Sequence, residues 1–221
     1  PDYEPLKNTI YVKLAKVIAD LEVMTDQEEV GPEVDTTIGL FKSLASEDYY
    51  SHAGRMLAGY ARLHQFEKAA DSDKKAARKL LKRATWALRL RALVPVFECH
   101  PLIWRAALAR HDGKLEKAKK LLDKANKLAE QCESRRGLFH VAHERARIAK
   151  AENDPVATFY AETAVRIAMS EQWRRRARRV RAEFDLSPTR EQGVANATRL
   201  GQVANPRSLE QTQRYAQALL Q

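Results

Sequence analysis

The stretch from Pro101 to Glu130 reads PLIWRAALARHDGKLEKAKKLLDKANKLAE, and it contains two helical patterns separated only by His111-Asp112-Gly113. A break this short makes the two helices antiparallel neighbours. The second pattern repeats apolar residues at helical spacing and keeps its lysines on the other faces. One helix pair cannot enclose its own apolar stripe, so the stretch predicts a stack of similar pairs. The apolar positions are Leu115, Ala118, Leu121, Leu122, Ala125 and Leu128.

Alanines recur at matching positions in the second helix of each predicted pair. Three alanine pairs, each with members seven residues apart, are offset from one another by 41 and 39 residues. This period lies within the range of helical repeats. A small side chain lets two helices approach closely. The alternative is that the matching positions arise by chance, because alanine is common in any helix. The pairs are Ala77 and Ala84, Ala118 and Ala125, and Ala157 and Ala164.

The whole chain is predicted to be all-α, a right-handed stack of antiparallel helix pairs that forms an α-solenoid. Residues 1–46 are predicted to form N-terminal helices with an acidic loop at 25–34, as a cap or a further repeat. Residues 47–185 are predicted to hold about three pairs and a closing arginine-rich helix. Residues 186–221 are expected to be a linker and a connector helix, which stops at Gln221 without a cap signal, as in a piece of a longer chain. Besides the quoted pair, the helices are predicted at 5–24, 48–66, 72–92, 135–151 and 171–184.

Capping residues mark several predicted helix starts. Asp35 or Thr36 is expected to cap a second N-terminal helix, and Ser46 is expected to open the next. Asp154 followed by Pro155 is the strongest such signal, because proline is favoured at the first helical position.

The pair at 101–130 resembles a degenerate tetratricopeptide repeat. Gly113 matches the turn glycine of that family, Ala118 and Ala125 match its two small residues, and Leu122 stands at its aromatic site. Together with ARKLLKRATWALRL and SEQWRRRARRVRAEF, the pair also resembles the helical-repeat region of large bacterial signalling kinases and ATPases. These resemblances imply a regulatory role in signal transduction and a concave groove lined by the first helix of each pair.

That groove is the predicted binding site. Its candidate contacts are mostly arginines, which predict an acidic peptide, or an acidic domain of the same or another chain, as the partner. We therefore expect a non-catalytic scaffold for protein–protein interaction. The candidate groove residues are Arg55, Tyr60, Arg62, Arg105, Arg110 and Arg145.

A basic patch runs along the helix predicted at 171–184. An arginine cluster can hold phosphate or carboxylate groups in bidentate fashion, but charge runs on helices are often only solvated. The rival function is binding of nucleic acid or another polyanion through the Lys/Arg-rich convex face. That rival lacks an exposed aromatic platform, since Trp86, Trp104 and Trp173 are all predicted to pack in the core. The patch comprises Arg174, Arg175, Arg176, Arg178, Arg179 and Arg181.

Catalytic patterns are absent from the sequence. Gly54 and Gly59 have one interval of a phosphate-binding loop, but Tyr60-Ala61 stands where Lys and Ser/Thr are required. His140 and His143 lie one turn apart, yet no third metal ligand is marked. The sequence therefore predicts no enzyme, no metal and no cofactor, with an enzyme retained only as a minor alternative.

The charge of the chain is divided unequally. Its net charge is +10. Residues 1–50 hold 4 basic and 11 acidic side chains, a net charge of −7, so the remaining residues carry +17. Two interpretations follow: the acidic segment at 20–35 pairs with basic residues of the same chain, or the basic part of the chain binds an acidic partner.

No apolar run approaches the roughly 20 residues of a membrane span. Cys99 and Cys132 fit neither a disulfide framework nor a zinc site, which favours a reducing compartment, the cytoplasm.

Overall fold

The computed structural model describes residues 13–23, 33–44, 49–91 and 95–187, and all regular structure in these ranges is helical. The all-α prediction is confirmed, and no helix of the described ranges is long and apolar enough to cross a membrane. Residues 13–23 are labelled α1, and a short 3-10 helix, Pro95–Phe97, precedes α5. The others are α2 (Glu33–Leu44), α3 (Tyr49–Lys68), α4 (Asp71–Arg91), α5 (Cys99–His111), α6 (Leu115–Gln131), α7 (Arg135–Ala151), α8 (Val156–Ser170) and α9 (Arg174–Glu183).

Some helix ends agree with the prediction and others differ from it: α9 begins at Arg174 rather than at residue 171, and α8 begins at Val156 rather than at Pro155. The helix predicted at 135–151 is confirmed at both ends, and the Oδ1 of Asp154 accepts the backbone N–H of Val156 at 2.9 Å, as expected of a capping residue. The cap predicted at Asp35 or Thr36 is wrong, because α2 already begins at Glu33. Asp35 instead lies in the first turn, where the helix dipole favours a carboxylate.

Other predicted features lie outside the described residues. They are the acidic loop up to residue 32, the start at Ser46, and the linker and connector helix from residue 188 onward. Every helix given above belongs to the unit that ends at Leu186.

The turns after α5, α6, α7 and α8 share one backbone conformation. In each, one residue has a positive φ, and the next N–H donates to the carbonyl of an alanine five residues earlier. This closure satisfies carbonyls that the helix leaves open and reverses the chain at once. The positive-φ residues are Gly113 (70°), Glu133 (50°), Asn153 (56°) and Gln172 (60°). The accepting residues are Ala109, Ala129, Ala149 and Ala168.

Helix packing places the first helices of successive pairs side by side. Consecutive helices from α5 to α9 contact each other, α3 contacts α4, and α5 also contacts both α3 and α7. Three apolar clusters lie between them, one centred on α1 to α5, one on α5 to α7 and one on α7 to α9. Ala118, Ala125 and Ala164 are fully buried as predicted. Ala77, Ala84 and Ala157 are only half-buried.

Gly54 and Gly59 have a packing role within α3. A Cβ at Gly59 would overlap the ring of Trp104, which is fully buried on α5, and a Cβ at Gly54 would overlap the ring of Phe41 on α2. The two glycines therefore let α3 approach its neighbours closely, which explains why they stand inside a helix rather than in a phosphate-binding loop.

Candidate functional site

A cavity of about 600 Å³ opens between α3, α5 and α7 on one side and α9 on the other. We call it the central cavity. Tyr60 and Arg110 of the predicted groove set line it. Its lining is Tyr60, Leu63, His64, Glu67, Lys68, Arg110, His111, His140, His143, Arg147, Arg176, Arg179, Ala182 and Glu183.

The floor of the central cavity is a cluster of aromatic rings around Tyr60. The Tyr60 ring stacks on His140 with centroids 3.7 Å apart and meets Trp104 edge-on at 5.4 Å. Burial, reinforced by Arg136, lowers the pKa of His100 to about 3, so its imidazole is neutral. Nδ1 of His100 and the hydroxyl of Tyr60 are hydrogen-bonded at 2.7 Å. With 5% of its surface exposed, Tyr60 supports the floor and does not project into the space.

The walls carry a network of ion pairs that joins three helices. Glu67 on α3 accepts hydrogen bonds from Arg147 at 2.8 Å and from Arg110 at 3.1 Å. Glu144 accepts from Nε of Arg110 at 2.6 Å. Burial raises the pKa of the Glu67 carboxyl, but the neighbouring Arg147, His111 and Arg110 together hold it well below its ordinary value. Glu67 is therefore charged at neutral pH, and it ties α3 to α5 and α7.

The two histidines one turn apart on α7 are each engaged by a neighbouring side chain. His143 donates from Nε2 to Glu183 at 2.7 Å, whereas His140 is engaged in the stack with Tyr60. Among the described residues, no group of three or more His, Cys, Asp or Glu side chains is placed to hold a metal ion.

Trp86 on α4 is exposed, which contradicts the prediction that it packs in the core. Its side chain is 65% exposed, whereas Trp104 is fully buried as predicted. Trp173 is half-buried, with the guanidinium groups of Arg176 and Arg136 lying 4.8 and 5.3 Å from its ring centroid. Trp86 is thus a ring that is available to a partner.

Two grooves flank Trp86, and we call Trp86 and both grooves the Trp86 surface. The first groove, of about 540 Å³, lies between α2, α3 and α4, and its floor is formed by apolar side chains. The second, of about 380 Å³, lies between α4, α5 and α6, and its lining includes one carboxylate, Asp112. Asp112 accepts two hydrogen bonds of 2.6 Å from Arg78. Cations line both grooves: Lys42, Arg55, Arg62 and Arg83 in the first, and Arg78, Lys82, Arg89, Arg105, Lys114 and Lys117 in the second.

The six predicted groove residues fall into three places. Tyr60 and Arg110 line the central cavity. Arg55, Arg62 and Arg105 line the Trp86 surface. Arg145 lies elsewhere, where it donates to Asp123 at 2.8 Å and lies 5.8 Å from the ring centroid of Tyr160. A single groove requires that the candidate residues share one face of each first helix. In the structure they lie on different faces of these helices and line different cavities.

The predicted basic patch on α9 is also divided. Arg174, Arg175 and Arg178 are exposed, and Arg181 is half-buried. Arg176 is only 1% exposed, and half-buried Arg179 joins it in the lining of the central cavity.

The acidic segment at 20–35 pairs with basic residues of the same chain at two points. Glu22 on α1 forms ion pairs with Arg176 and, at 2.9 Å, with Arg136. Asp35 on α2 forms an ion pair with Arg62. This intramolecular alternative is confirmed for these two carboxylates.

Comparison of the chain with models of protein families, with curated proteins and with solved structures found no match in any of the three. The functional interpretation therefore depends on the geometry of these two surfaces.

Proposed function

We propose that this chain is a non-catalytic interaction module that binds an acidic segment of a partner protein at the Trp86 surface. The observation that carries the proposal is an exposed tryptophan between two grooves that are lined by ten cations and one carboxylate. We further propose that the helices form a right-handed, tetratricopeptide-like stack. The short turns and the contacts of α5 with α3 and α7 support that arrangement.

Trp86 is the proposed anchor for the partner. It stands next to another exposed apolar side chain, Leu90, which is 59% exposed. Burying a large apolar side chain contributes roughly 2–3 kcal/mol to binding. Tryptophan and arginine are also the side chains that most often dominate the energy of a protein interface.

The grooves supply the preference for acidic partners. Carboxylates of a bound segment can pair with the arginines of the rim in bidentate geometry. Each exposed pair contributes at most about 1 kcal/mol in water, so the main effects of the charge are steering and orientation. Ile38, Phe41 and Leu80 on the floor of the first groove offer a complementary surface to aliphatic side chains. An acidic amphipathic segment has both chemistries.

Nucleic acid is the second candidate ligand, because Trp86 supplies the exposed ring that the sequence-based hypothesis lacked. The apolar floor favours the protein partner. Single-strand binding also generally uses several stacking rings in succession, whereas this surface offers one tryptophan.

Intrinsic fluorescence tests the proposal directly. A synthetic peptide that alternates Glu pairs with Leu should shift the Trp86 emission to the blue, and its lysine counterpart should not. Measured by the fluorescence anisotropy of a labelled peptide, replacing Trp86 by Ala or Arg83 by Glu should weaken binding at least tenfold, whereas Arg175→Glu, at an exposed position of α9, should leave it unchanged. Equal binding of the peptide by all variants would overturn the site.

A capture experiment tests the natural partner. Nuclease-treated lysate should yield an acidic protein with the wild-type chain and lose it with Trp86→Ala. Binding of single-stranded oligonucleotides in preference to the peptide, with a steep salt dependence, would instead support the nucleic-acid candidate.

We place the module in the cytoplasm, as part of a signalling protein. The free thiols of Cys99 and Cys132 and the resemblance of the helices to bacterial signalling repeats support that setting.

A further inference from the structure

We infer that the central cavity binds a small dianion, with a phosphoryl group or a pair of carboxylates as the recognised chemistry. The inference goes beyond the proposed function, because it concerns a different surface and a small molecule in place of a protein.

The ion pairs of the central cavity surround open space. Protein interiors are packed as densely as organic crystals. Ion pairs that only held helices together would therefore be expected to pack without a large space between their side chains. Here Arg110, Arg147, Glu67 and Glu183 surround about 600 Å³. That volume lies within the range of small-ligand sites.

Cations outnumber carboxylates in the lining of the central cavity. Five cations and two carboxylates line the cavity. Behind the lining, Arg136 and Glu22 pair with each other, Glu22 also pairs with Arg176, and Glu144 pairs with Arg110. Among the described residues, the lining of the central cavity is therefore richer in cations than in carboxylates, which favours an anionic ligand. The lining cations are Lys68, Arg110, Arg147, Arg176 and Arg179.

His64 on α3 lines the central cavity. Its Nδ1 is buried and has no hydrogen-bond partner among the described residues. A buried polar atom without a partner is costly, so this nitrogen marks a position at which a ligand oxygen or a water is expected. Burial lowers the pKa of His64 to about 4, and the neighbouring Arg179 contributes to the shift, so the imidazole is neutral at pH 7.5.

The wall opposite the histidine is also built for an anion. Arg176 is almost fully buried and is held against Trp173 and Glu22, so its position is set before any ligand arrives. Preorganised donors lose little conformational entropy on binding. Tyr60 and His140 close the floor below them.

Calorimetric titration with inorganic phosphate and, separately, with malonate tests the inference at pH 7.5, with ionic strength held constant by chloride. We expect saturable binding of at least one of them, and a loss of at least tenfold in affinity in Arg179→Gln and in His64→Leu. The control is Arg175→Gln, which removes an exposed arginine from the same helix and should bind as the wild type does. Circular dichroism establishes that each variant is folded.

The two arms separate the sources of the dianion. Binding of phosphate alone assigns a phosphoryl ligand, and binding of malonate alone assigns a dicarboxylate. Absence of saturable binding by either probe, or equal affinity in Arg179→Gln and Arg175→Gln, would overturn the inference. Because Trp86→Ala leaves the cavity intact, that variant should retain the small anion even where it loses the acidic peptide.

Discussion

Arg147 on α7 and Glu183 on α9 are joined by two parallel hydrogen bonds, from Nε to Oε1 at 2.6 Å and from Nη2 to Oε2 at 3.0 Å. The same glutamate accepts a hydrogen bond from His143, and its backbone carbonyl accepts one from Lys150 at 2.7 Å. Glu183 thus holds the C-terminal end of α9 against α7, and with it the arginines that α9 contributes to the central cavity.

Replacing Glu183 by Ala should destabilise the fold by about 2 kcal/mol, since it leaves the partly buried Arg147 and His143 without this acceptor. Urea unfolding measures the change. Glu171→Ala is the matched control, because its only ion pair among the described residues, with exposed Arg135 at 3.6 Å, should contribute less than about 1 kcal/mol. Equal losses in the two variants would show that the bidentate pair has no special role.

Replacing Gly59 by Ala should destabilise the protein by about 1–3 kcal/mol, because the added methyl overlaps the buried Trp104 ring. This sign is opposite to the ordinary effect of the substitution in a helix, where alanine is favoured by about 1 kcal/mol. Gly39→Ala on α2 supplies the contrast, because nothing lies within 4 Å of its Cβ position. Gly39→Ala should raise the urea midpoint and Gly59→Ala should lower it.

Helix positions were predictable because their signal is local. Apolar stripes repeat within one helix, and the helix at 135–151 was placed at both ends from that pattern and its neighbours. The prediction that Trp86 is buried is wrong, and the geometry of the α-helix explains why. The buried residues of α4 include Leu81, Thr85 and Leu88, and residue 86 is rotated by about 100° from residue 85 around the helix axis.

The central cavity was not predictable at the level of its contacts. Glu67 meets Arg110 across 43 residues and Arg147 across 80, and no spacing rule connects them. Arginines that looked equivalent in sequence also differ in their surroundings. Arg176 is buried and paired, whereas Arg175 beside it is exposed. Only the packing of α9 on α7 and α8 decides which of them faces inward.

Replacing Gln172 by Gly should stabilise the protein by about 0.5–1 kcal/mol, because residue 172 has a φ of 60°, a conformation that disfavours side chains with a Cβ. Gly113→Ala, at a φ of 70° in the equivalent turn, should lower stability by about 1 kcal/mol. Thermal unfolding at neutral pH measures both. A loss of stability in Gln172→Gly would mean that the glutamine side chain outweighs the strain of its backbone.

His100 should make the fold sensitive to mild acid. Its pKa is about 3 in the folded protein, below the ordinary value near 6.5, so between these values the unfolded chain binds a proton that the folded chain does not. Stability must therefore fall as the pH falls below 6.5, by about 2 kcal/mol from this residue between pH 7 and pH 5. His100→Asn keeps an acceptor near Tyr60 without titrating, and its stability profile should be flatter over that range. Parallel profiles would contradict the assignment.

Quenching of Trp86 fluorescence should depend on the charge of the quencher. The ring is 65% exposed and stands between grooves lined by ten cations, so the local concentration of anions exceeds that of cations at low salt. Iodide should therefore quench the Trp86 emission, isolated as the difference between wild type and Trp86→Phe, a few-fold more efficiently than caesium. Added chloride should reduce the difference, because screening shortens the reach of the field to about 10 Å at 0.1 M salt.

Equal quenching by the two ions at low salt would mean that other groups of the chain neutralise this surface, and weak quenching by both would mean that the ring is covered. Either result would remove the ground on which an acidic partner is expected there.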